Sequence, residues 1–196
     1  MRFVSVPAPL PPHYANTAMA GRLRSLYLCY LSKPRGYRPL YRLLRKQRIR
    51  RIVELGIGTA ERALRMLELC PASDETTYTG IDLFEARENG DGAGLSLKEA
   101  HRRLAATGAK TRLIPGDPFA ALSRAANSLA RQDLVVISAD QDSEALERAW
   151  FYVPRMLHET TVVLREQRSE AGPVLAAISH DEIAKLARSP RGRRAA

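Results

Sequence analysis

The stretch RIVELGIGTAER, residues 51–62, joins a short apolar run to two glycines and then to helix-forming residues. RIVEL (51–55) has the length and apolar content of a buried strand. Gly56 and Gly58 allow the chain to turn sharply after it. Such a turn brings backbone N–H groups to the carboxyl edge of a sheet, where ligands bind in open α/β proteins. The stretch therefore predicts a strand, a turn and a helix, with a ligand site at the turn.

The residues of this turn argue against a dinucleotide as the ligand. A dinucleotide-binding turn has the spacing G-x-G-x-x-G. In this chain the third glycine position holds Glu61, whose charge would repel a pyrophosphate. The pattern that remains is E-x-G-x-G, with Glu54 on the strand and Gly56 and Gly58 in the turn. We therefore expect a different ligand.

Strand-like and helix-like segments alternate along the rest of the chain. The predicted strands are RIVEL (51–55), TYTGI (77–81), TRLI (111–114), DLVVIS (133–138) and TTVVLR (160–165). The predicted helices cover residues 60–69, 96–107, 118–130, 143–156 and 174–187. This order predicts an α/β fold, a three-layer Rossmann-like parallel sheet of at least five strands with helices on both faces.

Several helix ends have a chemical cause in the sequence. Ser96 and Glu99 have the spacing of a capping box, and Gly108 can adopt the left-handed conformation that ends a helix. Asp117 followed by Pro118 is typical of a helix N-cap and its first residue, where proline loses no hydrogen bond. These signals predict where the helices at 96 and 118 begin.

The N-terminal region predicts two helices before the first strand. Leu23, Leu26, Tyr27, Tyr30 and Leu31 recur at the spacing of one apolar helix face. A second, basic helix is expected at 39–48, with three inward-facing leucines, Leu40, Leu43 and Leu44. The predicted organisation is a basic helical extension at 1–50, an α/β domain at 51–187 and a basic disordered tail at 188–196.

The net charge of +10 is concentrated at the two ends of the chain. Residues 1–53 contain 12 Lys and Arg and no acid, and four Arg follow from residue 188. The segment between carries the other 15 bases and all 21 acids. Basic termini of this kind are either solvated surface or an attraction for nucleic acid, an anionic surface or an acidic substrate. Charge alone does not decide between these alternatives.

The apolar runs of the chain are all shorter than the roughly 18 residues that a membrane span needs. Arg2 is followed by the proline-interrupted FVSVPAPLPP, which does not resemble the apolar core of a signal peptide. We therefore expect a cytoplasmic protein with no membrane partner.

Four short motifs follow successive predicted strands: VELGIGTA (53–60), GID (80–82), GDPF (116–119) and VVISADQD (135–142). In this order they resemble the class I S-adenosylmethionine-dependent methyltransferases, and most of all the small bacterial O-methyltransferases. The resemblance covers roughly residues 50–166, with Ala60 in place of a frequent third glycine. It implies S-adenosylmethionine as the cofactor.

The resemblance also implies which residues bind that cofactor. They are Glu54, Gly56, Ile57, Gly58, Asp82, Leu83, Asp117 and Pro118. The glycine turn would lie against the methionine portion, and Glu54 would position the turn or reach the ligand's amine through water. Asp82 would accept the ribose hydroxyls, and Asp117 would lie near the adenine amine. Each also has a structural interpretation: a tight turn, a solvated strand-end acid and an N-cap.

The fourth motif, which carries catalytic residues in the family, departs from the family pattern. The small O-methyltransferases have a metal-binding acid at the position of Ser138 and a histidine at the position of Gln141. We therefore expect no metal. Asp140 is the predicted catalytic base, with Asp142 and His158 as alternatives.

The C-terminal part is short for this family, and only about 30 residues follow Arg165. The family's final antiparallel hairpin is therefore expected to be truncated, so either the sheet ends at five strands or residues 173–179 add one more. The family's closing acid corresponds to Glu166. An uncovered edge strand invites pairing with another chain, so a homodimer is plausible.

Together these features predict an S-adenosylmethionine-dependent methyltransferase that acts on a small-molecule acceptor, with O-methylation as the expected reaction. The N-terminal helices would cover the acceptor pocket as a lid. Two alternatives stay open: a methyltransferase-like binding module without catalysis, and a nucleic-acid-associated methyltransferase that uses its basic termini.

Overall fold

The computed structural model of the 196-residue chain describes residues 12–70, 75–88, 93–141 and 144–189, with side chains from residue 21 onwards. The strands are β1 (Arg51–Leu55), β2 (Thr77–Asp82), β3 (Lys110–Pro115), β4 (Leu134–Ile137), β5 (Val162–Ser169) and β6 (Gly172–Ile178). The helices are α1 (Pro12–Tyr30), α2 (Arg38–Lys46), α3 (Glu61–Leu67), α4 (Leu97–Ala105), α5 (Pro118–Ala125), α6 (Glu144–Ala149) and α7 (His180–Ala187). Short 3₁₀ turns occupy Phe84–Ala86, Ala126–Leu129, Ala139–Gln141 and Val153–Met156.

The six strands form one sheet in the order β3-β2-β1-β4-β5-β6. The first five are parallel, and β6 runs antiparallel to β5. The strand β1 lies in the centre, paired with β2 on one side and β4 on the other. The predicted α/β fold with at least five strands is therefore confirmed.

The prediction of a helix over 174–187 is wrong in its first half. Residues Gly172–Ile178 pair with β5 from Ser169 to Val163, and the helix α7 begins only at His180. The alternative in which residues near 173–179 add a sixth strand is therefore correct. The run VLAAI has residues that also form helices, and here pairing along a whole neighbouring strand overrides local propensity.

Helices cover both faces of the sheet, which gives the three predicted layers. On one face α1 to α4 enclose a core that includes Leu28, Leu40, Ile52, Met66 and Leu104. On the other face α5 to α7 enclose a second core that includes Val53, Ile81, Leu122, Trp150 and Ile183. The central strands β1 and β4 are rich in apolar residues because both of their faces are buried.

The predicted helix caps are present. The Ser96 hydroxyl accepts the Glu99 N–H at 3.2 Å, and the Asp117 carboxylate accepts the Ala120 N–H at 2.9 Å. Gly108 has φ of 78°, in the left-handed region. An N-cap depends only on residues a few positions apart, so the sequence predicts it correctly.

The helix α1 forms as predicted, but its apolar stripe lies in solvent. Leu23 is 63% exposed and Leu31 is 68% exposed, whereas α1 contacts the core through Leu28 and Cys29. Periodicity therefore predicted the helix and not the face that it buries. Among the described residues no helix, α1 included, combines the length and apolarity needed to cross a membrane.

The loop between α1 and α2 contacts the outer edge of β6. Gly36 forms a β-bridge with Val174 there. A methyl group on Gly36 would overlap the carbonyl of Pro173. This contact attaches the N-terminal helices to the last strand of the sheet and covers part of an edge that would otherwise be open.

We predict that Gly36→Ala destabilises the protein by about 1 to 3 kcal/mol, the usual cost of forcing extra atoms into a packed contact. The control is Gly21→Ala, because a methyl group at Gly21 meets no atom within 4 Å. Gly21 lies in α1, so alanine there should leave stability unchanged or raise it. Urea unfolding of the three proteins measures the difference. Equal stability of G36A and wild type would contradict the role of this contact.

Candidate functional site

The glycine turn lies at the carboxyl end of β1, in the middle of the sheet. Its flanks are fixed by backbone hydrogen bonds, from the Gly56 N–H to Ile81 at 2.8 Å and from the Ser138 N–H to Leu55 at 2.9 Å. The chain leaves β1 towards β2 on one side and returns at β4 on the other. In open α/β sheets this reversal of strand order marks the crevice in which ligands bind.

The turn needs residues without bulky side chains. Gly56 has φ of 80° and Gly58 has φ of 52°, both left-handed. A Cβ on Gly56 would also lie 2.7 Å from Asp140 Oδ1. Ala60 has φ of 60° immediately before α3, which explains why a third glycine is frequent there in the family that the sequence resembles.

Glu54 lies beneath the turn and is completely buried. Its carboxylate accepts the Tyr78 hydroxyl at 2.5 Å and the Arg62 Nε–H at 2.7 Å. Burial raises the pKa of Glu54, and the Arg62 charge works in the opposite direction. Glu54 therefore positions the turn through Arg62 and exposes no oxygen to a ligand in this structure.

Arg62 connects Glu54 to a second buried carboxylate. Its Nη1 donates to Glu166 at 2.6 Å, and its Nη2 donates to the Gly56 carbonyl at 3.2 Å. Its side chain is only 8% exposed. The carboxylates of Glu54 and Glu166 raise the pKa of Arg62 against the effect of burial, so it stays charged.

Glu166 accepts hydrogen bonds from two further parts of the fold. Tyr37 donates its hydroxyl at 2.6 Å, and Ser138 donates its hydroxyl at 3.0 Å. Burial raises the pKa of Glu166, but the hydrogen bonds from Tyr37 and Arg62 outweigh it, and the net direction is downward. We call Tyr37, Glu54, Arg62, Ser138 and Glu166 the ion-pair network. It joins the N-terminal extension, β1, α3, β4 and β5 at one point.

We predict that Arg62→Met destabilises the protein by about 3 to 5 kcal/mol, because it leaves two buried carboxylates without their cation. Adding Glu54→Gln and Glu166→Gln to R62M should recover part of this loss. The control is Arg103→Met, which breaks an exposed pair with Glu99 and should leave stability close to wild type. Thermal and urea unfolding measure all of these. Equal effects of R62M and R103M would contradict the account.

Asp82 ends β2 beside the turn and is 1% exposed. Its Oδ2 accepts the N–H groups of Ile57 at 2.8 Å and Gly58 at 2.9 Å. Arg87 contacts both of its oxygens, with Nε 2.9 Å from Oδ1 and Nη2 2.8 Å from Oδ2. Burial opposes ionisation, but Arg87 and the Gly58 N–H lower the pKa of Asp82 below its usual value. Asp82 is therefore ionised, and donors from the protein itself already bind its two carboxylate oxygens.

Asp140 approaches the same Arg87 nitrogen that contacts Asp82. Its Oδ2 is 3.4 Å from Arg87 Nη2, and its Oδ1 is 3.3 Å from the Gln141 amide nitrogen. The side chain is 23% exposed. Asp140 thus differs from Glu54, Asp82 and Glu166, because it combines a place at the glycine turn with access to solvent.

The other predicted cofactor residues lie at the same edge of the sheet. Leu83 follows Asp82 directly and is half-buried. Asp117 and the buried Pro118 follow β3, and Asp117 caps α5 as predicted. The structure brings all eight predicted positions to the carboxyl ends of β1, β2 and β3. Their role in cofactor binding stays a prediction.

His158 is wrong as a catalytic base. It lies before β5, at the opposite edge of the sheet, where its Nε2 is 3.4 Å from the Asp133 carboxylate. Asp133 in turn accepts the N–H groups of Arg50 and Arg51 at the start of β1. Asp142 lies outside the described residues. Within the described ranges, no group of three or more His, Cys, Asp or Glu side chains is placed to hold a metal ion.

A cavity of about 180 Å³ opens between the N-terminal extension and the glycine turn. The residues that line it are Pro34, Tyr37, Tyr41, Gly56, Ile57, Gly58, Thr59, Glu61, Arg62, Arg65, Ser138 and Glu166. The buried hydroxyl of Tyr41 has no hydrogen-bond partner among the described residues. Arg65 lies beside this hydroxyl, where its charge opposes the effect of burial, which raises the pKa of Tyr41.

Sequence reasoning missed Arg62, Arg87 and Tyr41. Arg62 carried one usable signal, a cation one residue inside the helix that follows E-x-G-x-G. Arg87 is only five positions from Asp82, but neither residue belongs to a helix that would predict their contact. Tyr41 is distant in sequence from the glycine turn, so only the fold brings it to the cavity.

Solved structures with the same fold include two methyltransferases. The O-methyltransferase TomG from Streptomyces achromogenes, involved in tomaymycin synthesis and solved in complex with S-adenosylmethionine, is 19% identical with a TM-score of 0.51. That match covers 81% of this chain and 66% of TomG. A Klebsiella pneumoniae protein presumed to be an O-methyltransferase is 16% identical with a TM-score of 0.50, over 95% of this chain and 78% of that one. No protein-family model and no curated protein matches the chain. The expected methyltransferase fold is confirmed.

Proposed function

We propose that this protein is an S-adenosylmethionine-dependent methyltransferase. The observation that carries the proposal is the glycine turn at the centre of the sheet, with an ionised Asp82 on one side and a polar cavity on the other. S-adenosylmethionine has a ribose, which suits Asp82, and an amino-acid end, which suits the polar cavity. The fold shared with TomG, which was solved with this cofactor, supports the same ligand.

Two features of the structure fit the amino-acid end. Gly56 lines the cavity without a side chain, so a ligand can approach the backbone of the turn. The unpartnered Tyr41 hydroxyl lines the cavity and burial raises its pKa, so it stays a hydrogen-bond donor. Arg65 lines the same cavity, and its guanidinium also pairs with Glu61. The Tyr41 hydroxyl can donate to a carboxylate, and a ligand carboxylate would compete with Glu61 for Arg65.

The ribose end fits only after a rearrangement. An ionised carboxylate such as Asp82 suits a diol, because both hydroxyls can donate to it. In this structure Arg87 holds both of its oxygens. The cavity of about 180 Å³ is also below the range of about 300–1,000 Å³ typical of small-molecule sites. We infer that the rest of the site opens towards Asp82 when Arg87 leaves.

Methyl transfer requires correct positioning of the reactants more than covalent catalysis by the protein. S-adenosylmethionine supplies a methyl group that its sulfonium already activates. The protein contributes orientation, and holding the two reactants in line can supply most of the rate acceleration. The ion-pair network serves this purpose, since Arg62 fixes the Gly56 carbonyl and Tyr37 anchors the N-terminal extension over the cavity.

We infer a small-molecule acceptor that is methylated on oxygen. As the methyl group passes to the acceptor oxygen, that oxygen loses its proton, and S-adenosylhomocysteine leaves. Asp140 is the carboxylate that we assign to take the proton, at Oδ1, because Arg87 contacts Oδ2 and the side chain is partly exposed at the glycine turn. Glu54 and Glu166, in contrast, are buried in the network. Pro34 and Tyr37 place the N-terminal extension at the cavity, which supports its role as a lid.

Binding of S-adenosylhomocysteine tests the proposal directly. We predict one-to-one binding by isothermal titration calorimetry and a rise in the unfolding temperature. Asp82→Asn should weaken binding by about 1.5 to 3 kcal/mol, the scale of a lost charge-assisted hydrogen bond. The control is Asp133→Asn at the opposite edge of the sheet, which should bind like wild type. Absence of both heat and thermal shift with wild-type protein would reject the proposal.

Tyr41→Phe separates the two ends of the ligand. We predict that it weakens binding of S-adenosylhomocysteine by about 1.5 to 3 kcal/mol, because a hydrogen bond to a carboxylate is lost. Binding of 5′-methylthioadenosine, which lacks the amino-acid end, should not change. Tyr30→Phe on the exposed face of α1 is the control. Equal losses for both ligands would show that Tyr41 does not contact the carboxylate.

A further inference from the structure

Arg87 lies where the ribose of the proposed cofactor would meet Asp82. Its Nε and Nη2 contact the two carboxylate oxygens at 2.9 and 2.8 Å. A ribose diol would need these same oxygens. If the chain binds S-adenosylmethionine as proposed above, the ligand and Arg87 compete for one acceptor.

The carboxylate of Asp82 cannot accept hydrogen bonds from Arg87 and from the ribose hydroxyls at the same time. A carboxylate offers about four lone-pair sites. Ile57 N–H, Gly58 N–H and Arg87 Nη2 all donate to Oδ2. Arg87 Nε donates to Oδ1, and the Phe84 N–H lies 3.3 Å from it. The backbone donors belong to the turn itself, so Arg87 is the donor that a ligand can replace.

The surrounding chain is shaped to hold the Arg87 side chain. That side chain is only 9% exposed. A methyl group on Gly94 would overlap it, so the segment near Gly94 lies directly against the guanidinium. The Ala93 carbonyl lies 3.4 Å from the place of a Cβ on Gly58, which brings the same segment to the glycine turn. The segment at Ala93 and Gly94 therefore contacts both the Arg87 side chain and the glycine turn.

A second acid offers Arg87 another partner. Asp140 Oδ2 lies 3.4 Å from the same Nη2 that contacts Asp82, and the Asp140 side chain is partly exposed. Because Nη2 already reaches both acids, Arg87 can keep Asp140 as a partner when its contact with Asp82 is lost. The positive charge then stays compensated while Asp82 becomes available.

We propose that Arg87 is an internal competitor that occupies the ribose acceptor in the ligand-free protein and moves to Asp140 when the ligand binds. Such a competitor lowers the apparent affinity by the fraction of molecules in which it has left Asp82. It makes ligand binding depend on a conformational step within a single ion pair. Arg87 would act as a positioning residue that controls access to Asp82.

Calorimetric titration with S-adenosylhomocysteine tests this competition. Arg87→Ala should bind about tenfold more tightly than wild type, or better, because no guanidinium competes for Asp82. The ligand-free variant should unfold at a lower temperature, since Asp82 loses its counter-ion. Arg87→Lys keeps the charge without the bidentate contact, so its affinity for the ligand should lie between those of wild type and R87A. Arg103→Ala, which breaks an exposed pair with Glu99, should match wild type.

Asp140→Asn tests the second position of Arg87. It should weaken binding in the wild-type background, because the displaced guanidinium loses its partner, and have no effect in the R87A background. The readout is binding alone and does not depend on turnover.

The outcomes separate the two claims. Binding by wild type with equal or weaker binding by R87A and R87K overturns the competition and leaves the proposed function in place. If wild type and both variants all fail to bind, the proposed function fails, and the competition fails with it. If R87A does not fold, R87K alone decides by the same comparison.

Discussion

The buried pairing of Arg62 with Glu54 and Glu166 is the interaction that joins the site to the fold. One guanidinium donates to two carboxylates on β1 and β5 and to the Gly56 carbonyl. Removing two carboxylates from water is costly unless a cation and further donors satisfy them. Tyr78 supplies the further donor for Glu54, and Tyr37 for Glu166. Arg62 therefore fixes the turn, the sheet and the N-terminal extension in one arrangement.

The N-terminal extension follows from this arrangement. Tyr37 reaches Glu166 from the loop before α2, and Gly36 meets the edge of β6 beside it. The cavity lies between this loop and the glycine turn. A pocket wall that is attached by a hydrogen bond and a backbone bridge can keep its shape without a ligand. The exposed stripe of α1 is a separate feature and does not contribute to the cavity.

The sequence alone predicts the parts of this structure that depend on local chemistry. The strand RIVEL, the caps at Ser96 and Asp117 and the glycine turn all follow from residues within a few positions of one another. The carboxyl ends of parallel strands lie at one edge of a sheet, so the sequence was sufficient to predict Asp82 and Asp117 beside the turn. Non-local contacts escaped prediction. The strand β6 was expected as one of two alternatives. The contact of Arg62 with Glu166 and the place of Tyr41 in the cavity arise only through the fold.

A crystal structure of the protein with S-adenosylhomocysteine tests the central claim most directly. The account predicts the ribose hydroxyls on the Asp82 carboxylate, the amino-acid carboxylate near Tyr41, and Arg87 moved away from Asp82 towards Asp140. The contacts of Arg62 with Glu54 and Glu166 should be unchanged. A bound ligand elsewhere on the protein, with the pair of Arg87 and Asp82 intact, would contradict the account.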